Sequence, residues 1–178
     1  AEEQRLYEAA LEIRKRRAPS SKEIAGLLNR LGSLARDYGD LATAQRRFET
    51  ALEFSEALFT DSFEEAMSLM NLGVLAHKRG DLNGAKRSFE ASLAVLGKLA
   101  PDTLAVAVGL NNLGVVAQEQ GDFDGAKQSY EAALAFQQKR APASLELAGS
   151  YYNLGNLASD GGDLYGAQRN YEAALDIQ

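Results

Sequence analysis

His77 is the only histidine in the chain, and it stands between Ala76 and Lys78. A general base needs a nucleophile or a metal-ligand partner within reach, and the flanking residues signal neither. The positions one and two 41-residue steps away hold Arg36, Gln118 and Ser159, so His77 reads as a variable surface position. Carboxylates recur at Glu49, Glu90, Glu131 and Glu172 with the same spacing, which places them in a scaffold and not in one active site. No P-loop, dinucleotide fingerprint, HExxH helix or calcium loop occurs. A chain without cysteine has neither a thiolate metal site nor a disulfide. The expectation is a protein that is not an enzyme and carries no cofactor or metal.

One chemical group does recur usefully. Asn71, Asn112 and Asn153 lie 41 residues apart, and a side-chain amide both donates and accepts, as an extended peptide backbone requires. Packed helices lie about 8–10 Å apart and an extended chain advances about 3.3 Å per residue, so one amide would meet roughly every third peptide residue.

The elements that would position these amides follow from the period. The stretch NNLGVVAQEQGD, beginning at Asn111, has close copies beginning at Met70 and Tyr152 and a looser one at Asn29. Glycine falls at Gly32, Gly73, Gly114 and Gly155, and a Gly-Asp pair begins at Gly39, Gly80, Gly121 and Gly162, always 41 residues apart. Such a fixed period marks a repeat architecture. The register continues through Phe48, Phe89, Tyr130 and Tyr171, and one step back reaches Tyr7. The expected division is 1–17 as the second helix of a preceding repeat, then repeats at 18–58, 59–99, 100–140 and 141–178, all in one solenoid domain.

Each unit reads as a helical hairpin. In the third, Leu110, Leu113, Gly114 and Ala117 mark one helical face, and Phe123, Ala126, Tyr130, Ala133 and Leu134 mark another. Gly121 is expected to end the first helix in the left-handed conformation, and Asp122 to cap the second. First helices are expected to start at Pro19-Ser20, Thr60-Asp61 and Pro101-Asp102, with Glu23 and Glu64 completing capping boxes. The fourth start, Pro142-Ala143, offers a cap only one residue later, at Ser144. Small residues such as Gly114, Ala117 and Ala126 should let the two backbones approach, with the aromatic filling the space beside them. Gly84, Gly125 and Gly166, near the start of the second helices, have no assigned role beyond close packing.

Composition agrees with a soluble all-helical chain: 178 residues, 46% hydrophobic, three prolines and a net charge of -6. That charge argues against nucleic acid as a partner, because such binding relies on clustered cations. The run from Arg14 to Arg17 sits where cations complement a helix C-terminus. No apolar run approaches the roughly 20 residues that span a bilayer, so no membrane contact and a cytoplasmic location are expected. The chain opens mid-repeat without an initiator Met, which suggests a piece of a larger protein.

The order Leu-Gly, Ala, Gly-Asp, Ala, aromatic, Ala and Leu resembles the tetratricopeptide repeat across essentially the whole chain. The 41-residue unit is longer than the standard repeat of that family, and Leu28, Leu69, Leu110 and Tyr151 stand where Trp is frequent. The longer form is similar to kinesin light chain repeats and to bacterial arrays fused to signalling or CHAT protease domains. The resemblance implies an all-α, right-handed superhelix whose first helices line a concave side that binds a protein or peptide.

On that side the sequence places Asn29, Arg30 and Arg36 in the first unit. The second contributes Met67, Met70, Asn71, Val74, His77 and Lys78. The third supplies Val108, Asn111, Asn112, Val115 and Gln118, and the fourth Tyr152, Asn153 and Asn156. Arg30, Arg36 and Lys78 would favour an acidic peptide at one end, with Glu119 and Asp160 disfavouring it at the other. Met67, Met70, Val74 and Val115 suggest an apolar, adaptable floor. Two alternatives accompany this reading: a spacer or self-association module stacking through its ends, and the sensing or recruiting arm of a larger signalling protein or protease.

Overall fold

A computed structural model of the chain describes residues 2–142 and 144–177; the Ala143 position named above lies outside them. Among the described residues there are nine α-helices and no strand: α1 Glu2–Arg17, α2 Glu23–Asp37, α3 Leu41–Leu58, α4 Phe63–Lys78, α5 Leu82–Leu99, α6 Leu104–Glu119, α7 Phe123–Arg140, α8 Leu145–Asp160 and α9 Leu164–Leu175. The fold is an all-α array of tandem hairpins. It divides into two compact units, residues 1–100 and 101–178.

The turn inside each hairpin is built as its Gly-Asp pair requires. Gly39, Gly80, Gly121 and Gly162 have φ of 84°, 77°, 80° and 80°, a left-handed conformation that glycine adopts without Cβ strain. The following aspartates, at 40, 81, 122 and 163, cap the second helices by accepting from the backbone N–H three residues on, at 2.8–2.9 Å. This explains Gly84, Gly125 and Gly166: each supplies that N–H, and a Cβ there would overlap the capping carboxylate. In the first hairpin Thr43 takes this place, and its backbone and hydroxyl hydrogen bonds hold the Asp40 carboxyl below its usual range.

First helices start later than expected. Asp61 adopts φ 56° and so turns the chain instead of capping it, and the N-cap is Ser62. Its hydroxyl accepts from Glu65 N at 3.1 Å, and Glu65 reaches back to the Ser62 N–H, completing the box with Glu65 in place of Glu64. Thr103, not Asp102, holds the N-cap position of α6, without a side-chain capping bond, and Ser144 caps α8 by accepting from Leu147 N at 3.1 Å. Ser20 does not cap α2 either: its N-cap is Lys22, and Ser21 Oγ accepts from Glu23 N at 3.3 Å. Ser21, Ser62, Thr103 and Ser144 are themselves 41 residues apart, so the fourth start keeps the common pattern. The displaced aspartates hold cations instead: Asp61 pairs with Lys98 at 2.8 Å, and Asp102 with Arg140 at 2.7 Å. The Asp61 hydrogen bond and charge raise the Lys98 pKa.

Packing within a hairpin centres on the glycine–aromatic contact. A Cβ added at Gly32, Gly73, Gly114 or Gly155 would lie 2.5 Å from Cε1 of Phe48, Phe89, Tyr130 or Tyr171. Glycine is thus what allows the ring to sit flush on the first helix. In unit 1, Leu11, Ile24, Ala25, Leu28, Leu31 and Ala51 form one core among α1, α2 and α3. Ala44, Phe48 and Leu75 form another, extending to α4. In unit 2, Ala117, Ala126, Tyr130, Leu154 and Leu157 join α6, α7 and α8. The basic end of α1 is tied down by Arg14, which pairs with Glu23 at 2.6 Å.

Candidate protein-interaction face

Because second helices carry the aromatic wedges, each first helix keeps a stripe outside the core. In unit 1 the stripes of α2 and α4, with the start of α1, enclose an open cavity of about 620 Å³. Arg30, Met67 and Asn71 line it, joined by Tyr7, Leu34 and Phe63, which sequence reasoning had not placed on this face. Tyr7 was legible only as a core aromatic of the leading half-repeat; here it also holds Arg30. The guanidinium lies 5.8 Å from the Tyr7 ring centroid, and Nη1 donates to the Tyr7 hydroxyl at 3.4 Å.

Several expected groove residues are committed elsewhere. Asn29 borders the cavity but is only 7% exposed. Its Nδ2 donates to the Glu64 carbonyl at 3.2 Å and to Ser68 Oγ at 2.9 Å, so its amide joins α2 to α4. Asn111 does the same in unit 2, donating to Ser150 Oγ at 2.6 Å; that hydroxyl donates to buried Gln137 Oε1 at 2.6 Å. Met70, in the same column, is also buried. Asn29 and Asn111 thus serve packing between first helices rather than an open floor. The signal lay 39 residues downstream, where Asn29 and Asn111 are each followed by serine.

The expected bias towards acidic peptides meets a different local charge. Arg36 Nε pairs with Asp37 at 3.1 Å, and the cavity lining carries Glu3, Asp37 and Glu64 beside Arg30. Lys78 is exposed, and Val74 and His77 are half-buried on the same helix. Among the described residues no group of three or more His, Cys, Asp or Glu side chains could hold a metal ion, and nothing in the arrangement indicates enzymatic activity.

In unit 2 the face of α6 and α8 has exposed Val108 and half-buried Asn112 and Asn153, while Val115 packs on the core. Gln118 and Asn156 are engaged. Gln118 Nε2 donates to Asp160 Oδ2 at 2.6 Å, and its Oε1 accepts from the Tyr130 hydroxyl at 3.1 Å. Asn156 Oδ1 accepts from the Tyr171 hydroxyl at 2.8 Å. Tyr152 is exposed and instead lines a separate apolar hollow of about 600 Å³ with Leu145, Tyr171 and Leu175.

Burial, with the charges of Glu119 and Asp160 adding to it, pushes the Tyr130 hydroxyl up to about 12. An unfolded tyrosine ionises near about 10, so above that pH the unfolded chain loses a proton that the folded chain keeps. The Tyr130 contribution to stability therefore falls as pH rises from about 10 to about 12. Tyr130→Phe should show a shallower alkaline decline in melting midpoint than the unaltered chain. Identical declines would show that this hydroxyl titrates alike in both states.

A tetratricopeptide repeat family model matches residues 23–98, 64–139 and 105–178. No curated protein sequence matches. Among solved structures, the chain is similar to BtubC (BKLC) from P. vanneervenii, with 25% identity and a TM-score of 0.86 over 97% of this chain and 70% of that one. It is also similar to a structure described as kinesin light chain, nearly identical TPR-like repeats, from P. anserina. There identity is 18% and the TM-score 0.73, over 99% and 86% of the two chains, which speaks for the fold alone. No helix among the described residues is long and apolar enough to cross a membrane.

Proposed function

The chain belongs to the tetratricopeptide repeat family, whose repeats generally mediate protein–protein interaction, and from that premise we propose that it is a non-catalytic scaffold binding an extended peptide segment along its first-helix face. The observation that carries this reading is the unit 1 cavity, which combines apolar walls with a side-chain amide, Asn71, that makes no hydrogen bond among the described residues. Asn112 and Asn153 occupy the same position on α6 and α8, and Arg30, Met67, Val74, Lys78 and Val108 provide the flanking chemistry. Binding pockets combine apolar surface with polar groups that fix orientation, and the unit 1 cavity sets Leu34, Phe63 and Met67 beside charged and polar side chains.

A second reading rests on the hollow at Leu145, Tyr152, Tyr171 and Leu175. Among the described residues its lining carries no charged side chain, and exposed apolar surface of this kind marks contact sites. In that case the chain would stack through its end, as a spacer or as the recruiting arm of a larger assembly.

A random-peptide display screen against the intact chain separates the two. Peptides enriched on the chain and lost on a folded Asn71→Ala, Asn112→Ala, Asn153→Ala variant are expected. Absence of enrichment on folded protein would overturn peptide recognition and favour stacking.

A further inference from the structure

We propose that the unit 1 cavity takes a basic side chain, lysine or arginine, of the bound segment. This rests on the reading of the first-helix face as a peptide site. The lining carries three carboxylates, on Glu3, Asp37 and Glu64, against the single guanidinium of Arg30. Two of those carboxylates are uncommitted: Glu3 and Glu64 have no hydrogen bond or ion pair through their side chains among the described residues, whereas Asp37 is paired with Arg36. Glu64 is half-buried between Phe63 and Glu65 at the start of α4, on the wall that also carries Met67.

The cation already present does not neutralise them. Arg30 is held on the Tyr7 ring and hydroxyl and forms no ion pair among the described residues. An acidic or neutral occupant would remove water from Glu3 and Glu64 without returning a counter-charge, and desolvating an unpaired carboxylate is costly. A lysine or arginine supplies that charge at its tip, while its methylene stem covers apolar surface such as Met67 and Phe63. Length suits it as well: a long, flexible side chain reaches across an open cavity from a backbone held at Asn71.

The test uses the intact chain and acetylated, amidated peptides that alternate alanine with lysine, with glutamate or with glutamine. The lysine probe is expected to bind most tightly. Glu3→Gln/Glu64→Gln should weaken it roughly tenfold, as loss of a partly desolvated charge pair does. The charge-matched control Glu53→Gln/Glu90→Gln, on exposed positions of α3 and α5, should leave it within about twofold, since exposed charges act weakly. Equal losses in both variants, or tighter binding of the glutamate probe, would overturn the proposal. Glutamine and lysine probes that bind equally and are lost together in Asn71→Ala would overturn it while leaving the peptide face intact. Binding of no probe would overturn both.

Discussion

Phe89→Ala is expected to lower the unfolding free energy by about 3–5 kcal/mol, the range for deleting a buried aromatic. The ring is 2% exposed and lies on the glycine that the sequence keeps at Gly73, with Cδ1 2.6 Å from where a Cβ would stand. Removing it leaves a void between two helices that cannot simply close, because the Gly80 turn and the Asp81 cap fix their separation at one end. Voids retained in this way are what make such truncations costly. Chemical denaturation followed by circular dichroism measures the loss. A change below about 1 kcal/mol, typical of a surface substitution, would mean that the hairpin does not depend on this wedge.

Gly114→Leu tests the same contact from the other side, in unit 2. A leucine must begin with a Cβ 2.5 Å from Tyr130 Cε1, and the ring is not free to swing away because its hydroxyl donates to Gln118. Overpacking of this kind costs about 1–3 kcal/mol, and an unchanged melting midpoint would contradict the assigned helix facing. The two predictions join in a cycle at the unit 1 pair. In the Phe89→Ala background the space left by the ring should accept Gly73→Leu, so the double variant should lose less than the sum of the singles, as expected for residues in contact. Strict additivity would show that glycine and ring act separately.

The hairpin was legible because each of its determinants is local and repeats. Gly121 followed by Asp122 specifies a left-handed stop and a new cap within two residues, and Gly114 with Tyr130 gives the packing pair at a fixed distance in the chain. The helix starts were less legible. Asp61 and Asp102 are good capping residues beside good stop signals, and only the left-handed backbone at Asp61 transfers the cap to Ser62. The hydroxyl series Ser62, Thr103 and Ser144 carried the right register, though at the first start the N-cap falls one residue after Ser21, on Lys22.

The face was partly legible for a similar reason. A stripe beside the core can be drawn from helical spacing, and its members Arg30, Met67 and Asn71 line the unit 1 cavity. Spacing within one helix does not show which stripe residues meet the next first helix, so Asn29 and Asn111 were assigned to the groove although they bond the next first helix, and Met70 although it is buried. The partners that bury them, such as Ser68 and Ser150, lie in the following repeat. Gln118 and Asn156 accept from the hydroxyls of Tyr130 and Tyr171, at the register where the two complete hairpins of unit 1 carry Phe48 and Phe89. Of the three carboxylates in the cavity lining, Glu3 comes from α1, ahead of the α2 and α4 helices that supply Asp37 and Glu64.

The most direct test of peptide binding on the first-helix face is amide chemical-shift mapping of the isotope-labelled chain with a peptide enriched by display. The expected result is perturbation concentrated at Gly26, Ser33, Met67 and Asn71, residues that line the unit 1 cavity. Shifts confined to Leu145, Tyr152 and Leu175, or to exposed second-helix positions such as Glu90 and Lys127, would contradict it.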